Sequence, residues 1–132
     1  MDRLTTAEET VSFGKEFAAR VKAPAVVALR GELGAGKTTF VQGFLQGLGI
    51  QDTAQSPTFT YLQIYGNQVY HFDLYRLTSE QQFISLGFEE FLHEDKIVII
   101  EWPERIESLL PENRWDITFV HAPNGRTAMV RS

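Results

Sequence analysis

Gly31-Glu32-Leu33-Gly34-Ala35-Gly36-Lys37-Thr38 matches the pattern G-x-x-x-x-G-K-[ST] at every specified position. Phosphate oxygens must be met by several main-chain N–H groups converging on one concavity. That convergence demands backbone angles that glycine reaches without steric cost, and Gly31, Gly34 and Gly36 supply them. A helix beginning directly behind such a loop adds the positive end of its dipole to the same site. In this pattern Lys37 bridges the terminal phosphates as a point charge, and the Thr38 hydroxyl completes the shell of a magnesium ion. The specified positions would coincide by chance roughly a few times in a thousand chains of this length. A ligand-free glycine-rich turn therefore has the weaker claim.

Magnesium keeps several waters and takes one or two protein carboxylates, often at a strand end beside the phosphate loop. Two acids compete for that place. Glu101 ends the apolar run Lys96-Ile97-Val98-Ile99-Ile100, and Asp73 closes Gln68 to Phe72 within His71-Phe72-Asp73-Leu74-Tyr75-Arg76. For either, the bland alternative is a solvated loop residue or a helix cap. Ser56-Pro57-Thr58-Phe59 falls where related loops carry a switch, so Thr58 is a candidate for the metal or the terminal phosphate; equally, Pro57 simply starts a strand. Arg76 either contacts phosphate or pairs with an acid at the surface. His71, His93 and His121 lack the spacing of a metal site and read as structural. Phe59, Tyr61, Phe72 and Tyr75 read by default as core aromatics. Trp102-Pro103 reads as the exit from the strand that Glu101 ends, with a contact surface as the alternative.

These groups need elements to hold them. Thr6 with Glu9 forms a capping box before Val11, Gly14, Phe17, Ala18 and Val21, predicting a helix from Ala7 to Arg20. Ala25 to Arg30 is an apolar run bounded by Pro24 and the glycine loop, which suits a strand buried on both faces. From Lys37, the apolar residues Phe40, Val41, Phe44, Leu45 and Leu48 predict a helix stopped by Gly47 and Gly49. Thr58 to Tyr65 and Gln68 to Asp73 straddle Gly66-Asn67 as a hairpin. Ser79 and Gln82 cap a helix reaching Leu86, Gly87 breaks it, and a short helix follows over Phe88 to His93. Lys96 to Glu101 is a second buried strand. Trp115 to Val120 and Thr127 to Arg131 close the chain as a hairpin through Pro123-Asn124-Gly125. The expected class is α/β: a three-layer fold like that of P-loop NTPases, whose mixed central sheet has parallel core strands and antiparallel flanking hairpins.

The 132 residues, 43% hydrophobic and 22% charged, fit one globular domain spanning 1–132 and exclude disorder. Apolar runs such as Ile97 to Ile100 are far short of a membrane span, and the N-terminus lacks a secretory pattern. The expectation is a soluble, cytoplasmic protein without direct membrane contact. Absence of cysteine removes disulfides, thiolate zinc sites and cysteine nucleophiles. A net charge of −5 withholds the bulk positive field that sequence-independent nucleic-acid binding uses, which disfavours direct RNA or DNA binding.

Taken jointly, Gly31 to Phe40, Ser56-Pro57-Thr58-Phe59, His71 to Arg76 and Glu101-Trp102-Pro103-Glu104 closely resemble the TsaE (formerly YjeE) family of bacterial ATPases. The resemblance covers essentially the whole chain in order and spacing, with no departure in the central motifs. It implies a small ATPase, using ATP and Mg2+, required for threonylcarbamoyladenosine modification of tRNA adenosine 37 and acting beside TsaB and TsaD. It carries nucleotide binding onto Gly34, Ala35, Gly36, Lys37, Thr38 and Thr39, magnesium onto Thr38 and Glu101, and a hydrolytic or metal-linked role onto Asp73. Thr10 matches the family's N-terminal threonine near the nucleotide, and Glu104 and Arg126 align with further nucleotide positions. Preference for ATP over GTP rests on the resemblance, although no Asn-Lys-x-Asp guanine-reading element occurs.

From the residues themselves, three functions compete. The first is a switch ATPase that uses Lys37, Asp73 and Glu101 and is slow without a partner. The second is a small-molecule kinase, which must build an acceptor lid from little more than Arg76, Arg105 and the segment 77–95. The third is a nucleotide-binding regulator that never turns over.

Overall fold

The computed structural model describes residues 2–31, 36–54, 61–123 and 125–132, with the main chain alone for Asp2, Arg3 and Lys37. The α/β class expected from the sequence is the one found. Strands β1 (Asp2–Leu4), β2 (Ala25–Gly31), β3 (Leu62–Tyr65), β4 (Val69–Asp73), β5 (Ile97–Glu101), β6 (Trp115–Ala122) and β7 (Gly125–Arg131) make one sheet in the order β1-β7-β6-β2-β5-β4-β3. The pairs β6–β2, β2–β5 and β5–β4 are parallel, and β3–β4, β6–β7 and β7–β1 are antiparallel. Strands sandwiched between helical layers lose both faces to solvent. That is why Val26 to Leu29 and Ile97 to Ile100 are unbroken apolar runs rather than alternating ones.

Helix α1 (Ala7–Ala18) begins at Thr6, whose hydroxyl accepts from the Glu9 N–H at 3.1 Å. The Glu9 carboxylate reaches one residue beyond the expected partner and accepts from the N–H and hydroxyl of Thr5, which holds it below the usual carboxylate range. The helix stops short of the predicted Arg20. Its end tightens instead, with Ala19 N–H donating to Glu16 O and Arg20 N–H to Phe17 O. Helix α2 (Gly36–Gly47) lies against α1 on one face of the sheet, where Phe13, Phe17, Phe40 and Phe44 form a connected aromatic cluster. The opposite face carries helix α3 (Glu80–Ser85) and two 3-10 helices, Glu89–His93 and Pro103–Leu109, over Phe72, Leu74, Phe83 and Ile106. As expected, Ser79 caps α3 by accepting from Gln82 N–H at 3.1 Å, and Gly87 leaves it at φ +80°.

The two helices on the first face touch backbone to backbone. A Cβ on Gly43 would stand 2.2 Å from the Val11 carbonyl oxygen, and one on Gly14 would stand 2.5 Å from that of Phe40. Alanine at position 43 gains about 0.5–1 kcal/mol of helix propensity. It must also push two helices apart, an overpacking cost of about 1–3 kcal/mol that wins. Because the overlap is with main-chain atoms, the net cost is about 1–2.5 kcal/mol, so Gly43→Ala should melt roughly 3–10 °C below the wild-type chain in a calorimetric scan, and an unchanged or raised Tm would refute this close crossing.

Strand β1 and the 3-10 helix Pro103–Leu109 were not foreseen. A three-residue strand carries no readable period, and it exists only because Asp2, Arg3 and Leu4 pair with Ala128, Thr127 and Arg126 of β7. The 3-10 helix is held from the sheet: Arg30 on β2 makes a forked pair with Glu107, at 2.8 and 3.0 Å, and donates to Asp116 on β6 at 2.9 Å. Those hydrogen bonds raise the already high Arg30 pKa and lower that of Glu107.

Candidate functional site

The loop starts at the C-terminal end of the central strand β2, between β5 and β6, and runs into α2. Gly31 has φ +84°, and a Cβ there would meet the Phe119 oxygen at 2.2 Å, so both the turn and the neighbouring strand exclude a side chain. Gly36 opens α2 for a different reason. An added Cβ would stand 2.0 Å from Nη1 of Arg126, so the guanidinium from the start of β7 lies directly on the helix's first residue. Glu32, Leu33, Gly34 and Ala35 lie outside the described residues, as do Ser56, Pro57, Thr58, Phe59 and the side chain of Lys37.

Beside Gly36 is an open cavity of about 480 Å³, walled by the start of α1, the first turn of α2 and the β6–β7 turn. Thr6, Thr10, Gly36, Thr39, His121 and Arg126 are among its lining residues. Four positions named from the sequence, Thr10, Gly36, Thr39 and Arg126, thus meet in one space of the size ligand pockets have. Thr10 is buried, and its hydroxyl donates to the Thr6 carbonyl at 3.3 Å. Arg126 Nε is buried with no hydrogen-bond partner among the described residues. A cationic group held over a helix start, with a donor still unmatched, suits an anionic ligand.

The two acids come together at the ends of adjacent parallel strands. Asp73 and Glu101 are register partners, and Leu29 of β2 is level with Glu101 on its other side. Residues in parallel register share a face, so Asp73, Glu101 and Leu29 all point into the α2 layer, above Ile99 and Val69. Neither acid is the solvated loop residue allowed as an alternative: Asp73 is 3% exposed and Glu101 1%. Asp73 Oδ1 accepts from the Tyr75 N–H at 3.1 Å, which curls the chain away at the strand end. Glu101 Oε2 lies 2.5 Å from Nε2 of His71, itself 1% exposed.

Other expected site residues fall elsewhere. Thr38 is half-buried in the first turn of α2 and is not in the cavity wall, and Glu104 is exposed on the 3-10 helix Pro103–Leu109. Tyr75 corrects the expectation of a core aromatic. It is 55% exposed and packs against Trp102 with the rings tilted and their centroids 5.0 Å apart, while Phe72 is the ring that enters the core. Trp102 follows Glu101 in the left-handed region at φ 60°, with Arg105 over its ring at 5.4 Å. The sequence reading also missed His71 as a partner of Glu101. The signal was there: His71 and Asp73 are two apart on one strand and must share a face. For His121 and Thr6 no comparable signal existed, because the turn that brings them to the cavity is a tertiary arrangement.

The sequence matches the family model described as "Threonylcarbamoyl adenosine biosynthesis protein TsaE" over residues 4–128. The chain belongs to the TsaE family. The tRNA threonylcarbamoyladenosine biosynthesis protein TsaE of Bacillus subtilis (strain 168) is 42% identical over 123 residues, covering 91% of this chain and 77% of that protein. The Haemophilus influenzae protein of the same name is 42% identical over 108 residues, covering 76% of this chain and 68% of its own length. In three dimensions the crystal structure of Bacillus subtilis YdiB superposes with a TM-score of 0.78 at 34% identity, over 96% of this chain and 80% of that one. The span of the TsaE match takes in the whole glycine loop, the cavity from Thr6 to Arg126, and both buried acids. Among the described residues no helix is long and apolar enough to cross a membrane.

Proposed function

We propose that this TsaE-family chain is a magnesium-dependent ATPase of tRNA threonylcarbamoyladenosine biosynthesis, working in the cytoplasm as a switch on a complex of TsaB and TsaD. One observation carries the reading. A strand–G-x-x-x-x-G-K-T–helix unit stands beside two buried carboxylates at the ends of the neighbouring parallel strands.

The site suits the substrate and the ion. Arg126 lies on Gly36 with its Nε unmatched among the described residues, which favours an anion at the start of α2. Among the described residues, no group of three or more His, Asp or Glu side chains could hold a metal by itself. The Glu101 carboxylate with the Thr38 hydroxyl matches instead the partial oxygen shell that magnesium takes when phosphates and waters supply the rest. Bound there, magnesium would neutralise charge on the phosphate oxygens.

The chain's own groups then divide the work. Main-chain N–H groups from Gly34 to Thr39 bind the phosphates, and Lys37 offsets their charge. Thr38 and Glu101 hold the ion. Thr10 and Arg126 line the space for the rest of the nucleotide. Asp73 orients a water for in-line attack on the γ-phosphorus, so that an oxygen–phosphorus bond forms as the bond to ADP breaks, leaving ADP and inorganic phosphate.

In a switch of this kind a partner supplies the cation that completes the site, and an arginine finger contributes about 10³ to 10⁵ in rate when supplied in trans. The expected result is slow phosphate release by the purified chain, accelerated strongly by TsaB plus TsaD. Fast release by the isolated chain, unmoved by those proteins, would refute the switch. Phosphate transfer to an added small molecule would replace it with a kinase, and tight binding with no release under any condition would leave a regulator.

A further inference from the structure

His71 has no part in the mechanism above, yet it is among the most enclosed polar residues in the described structure. It stands on the α2 face of the sheet among Val69, Ile97, Ile99 and Tyr65, all apolar or aromatic. An imidazole in such a layer is costly unless its polar atoms are bonded. Here Nε2 meets Glu101 Oε2 at 2.5 Å, while Nδ1 is buried with no hydrogen-bond partner among the described residues. A residue retained only to fill this volume would do so more favourably as leucine. The ring's single recorded polar contact is therefore the reason to look for its role in Glu101.

The register explains why the contact forms. His71 pairs with Ile99, and Asp73 with Glu101, so His71 lies diagonally one step deeper in the sheet than Glu101 and on the same face. A glutamate has three side-chain torsions, and without a donor from below, a desolvated carboxylate would turn toward the open strand ends. The imidazole holds it back at one oxygen.

We propose that His71 is a positioning residue: through Nε2 it locks the Glu101 carboxylate in the conformation that presents it to the magnesium ion of the nucleotide complex. This rests on the ATPase reading given above. Partners of this kind, acting on a ligand rather than on the metal, typically change metal affinity about 10- to 100-fold.

The test compares His71→Leu, which removes the donor, with His71→Gln, whose amide nitrogen can donate from nearly the place of Nε2. His71→Asn, whose amide falls near Nδ1 instead, serves as the loss variant if the leucine protein does not fold. ADP is titrated calorimetrically into each, in EDTA and across a magnesium series. The expected result is unchanged affinity in EDTA for every variant. The magnesium concentration needed for half-maximal effect should rise about 10- to 100-fold in His71→Leu and His71→Asn and return toward wild type in His71→Gln. Unchanged magnesium dependence in the loss variants, or equal loss in His71→Gln, would overturn the proposal. So would weakening in EDTA as large as that with magnesium, since a structural defect spreads to both. A crystal structure of nucleotide-free His71→Leu, or of His71→Asn, adds a readout independent of nucleotide. Glu101 should leave the position it holds beside His71, and Glu101 unmoved would overturn the proposal by itself. A wild-type chain giving no heat with ADP would sink the ATPase reading, and that structure would still decide the claim about Glu101.

Discussion

Lys37→Ala should bind ATP about 10- to 100-fold more weakly than the wild-type chain, since a hydrogen bond to a charged group contributes about 1.5–3 kcal/mol. The residue follows Gly36 at the opening of α2, where a helix start favours negative charge, and in the G-x-x-x-x-G-K-T pattern its ammonium offsets the charge of the terminal phosphates. Alanine is a better helix former than lysine, so the fold has no reason to suffer. Titration calorimetry with ATP and magnesium measures the loss directly, and a melting scan on the same sample checks the fold. Equal affinity of the variant and the wild type would mean that the glycine turn does not cradle a triphosphate, and the proposed function would fall with it.

Asp73→Asn should leave ATP binding nearly intact and lower phosphate release about 10²- to 10⁴-fold, the range that a positioned acid or base group contributes. Asparagine is chosen because its carbonyl oxygen can still accept from the Tyr75 N–H, as Asp73 Oδ1 does at 3.1 Å, so the turn at the end of β4 is kept. What is lost is the negative charge. Because Asp73 is register partner to Glu101, both carboxylates face one small volume, and removing one charge should not unseat the nucleotide held by the loop. Release is best followed with TsaB and TsaD present, where wild-type turnover is expected to be high enough to read a large fall. Turnover equal to wild type would remove Asp73 from the chemistry and leave Glu101 as the acid to examine.

The exposed Tyr75 and the half-buried Trp102 add context to both acids. Asp73 and Glu101 each end a strand, and within two residues the chain leaving each carries an aromatic ring, and these two rings pack on each other. The left-handed backbone at Trp102 turns the chain into the buried Pro103 and the 3-10 helix that Arg30 anchors through Glu107. The strand end carrying Glu101 is thus pinned from β2 as well as from β4.

The amino-acid order alone determined those parts of the protein whose cause is local. Glycines at required spacings, apolar runs of strand length, and caps such as Thr6 with Glu9 and Ser79 with Gln82 act within a few residues of themselves, so the strand and the helix that flank the glycine loop were legible, as were most strands and the α/β class. Tyr75 failed because its alternation continued past the end of β4, where the pleat no longer dictates a face. Only the tertiary structure decided which strands are neighbours. That choice set Asp73 level with Glu101, slid His71 beneath it, brought Arg126 onto Gly36 across most of the chain, and gave Asp2–Leu4 an edge to pair with. Strand order is settled by burying two apolar faces under two helical layers at once, a condition on the whole sheet that no single window of residues contains.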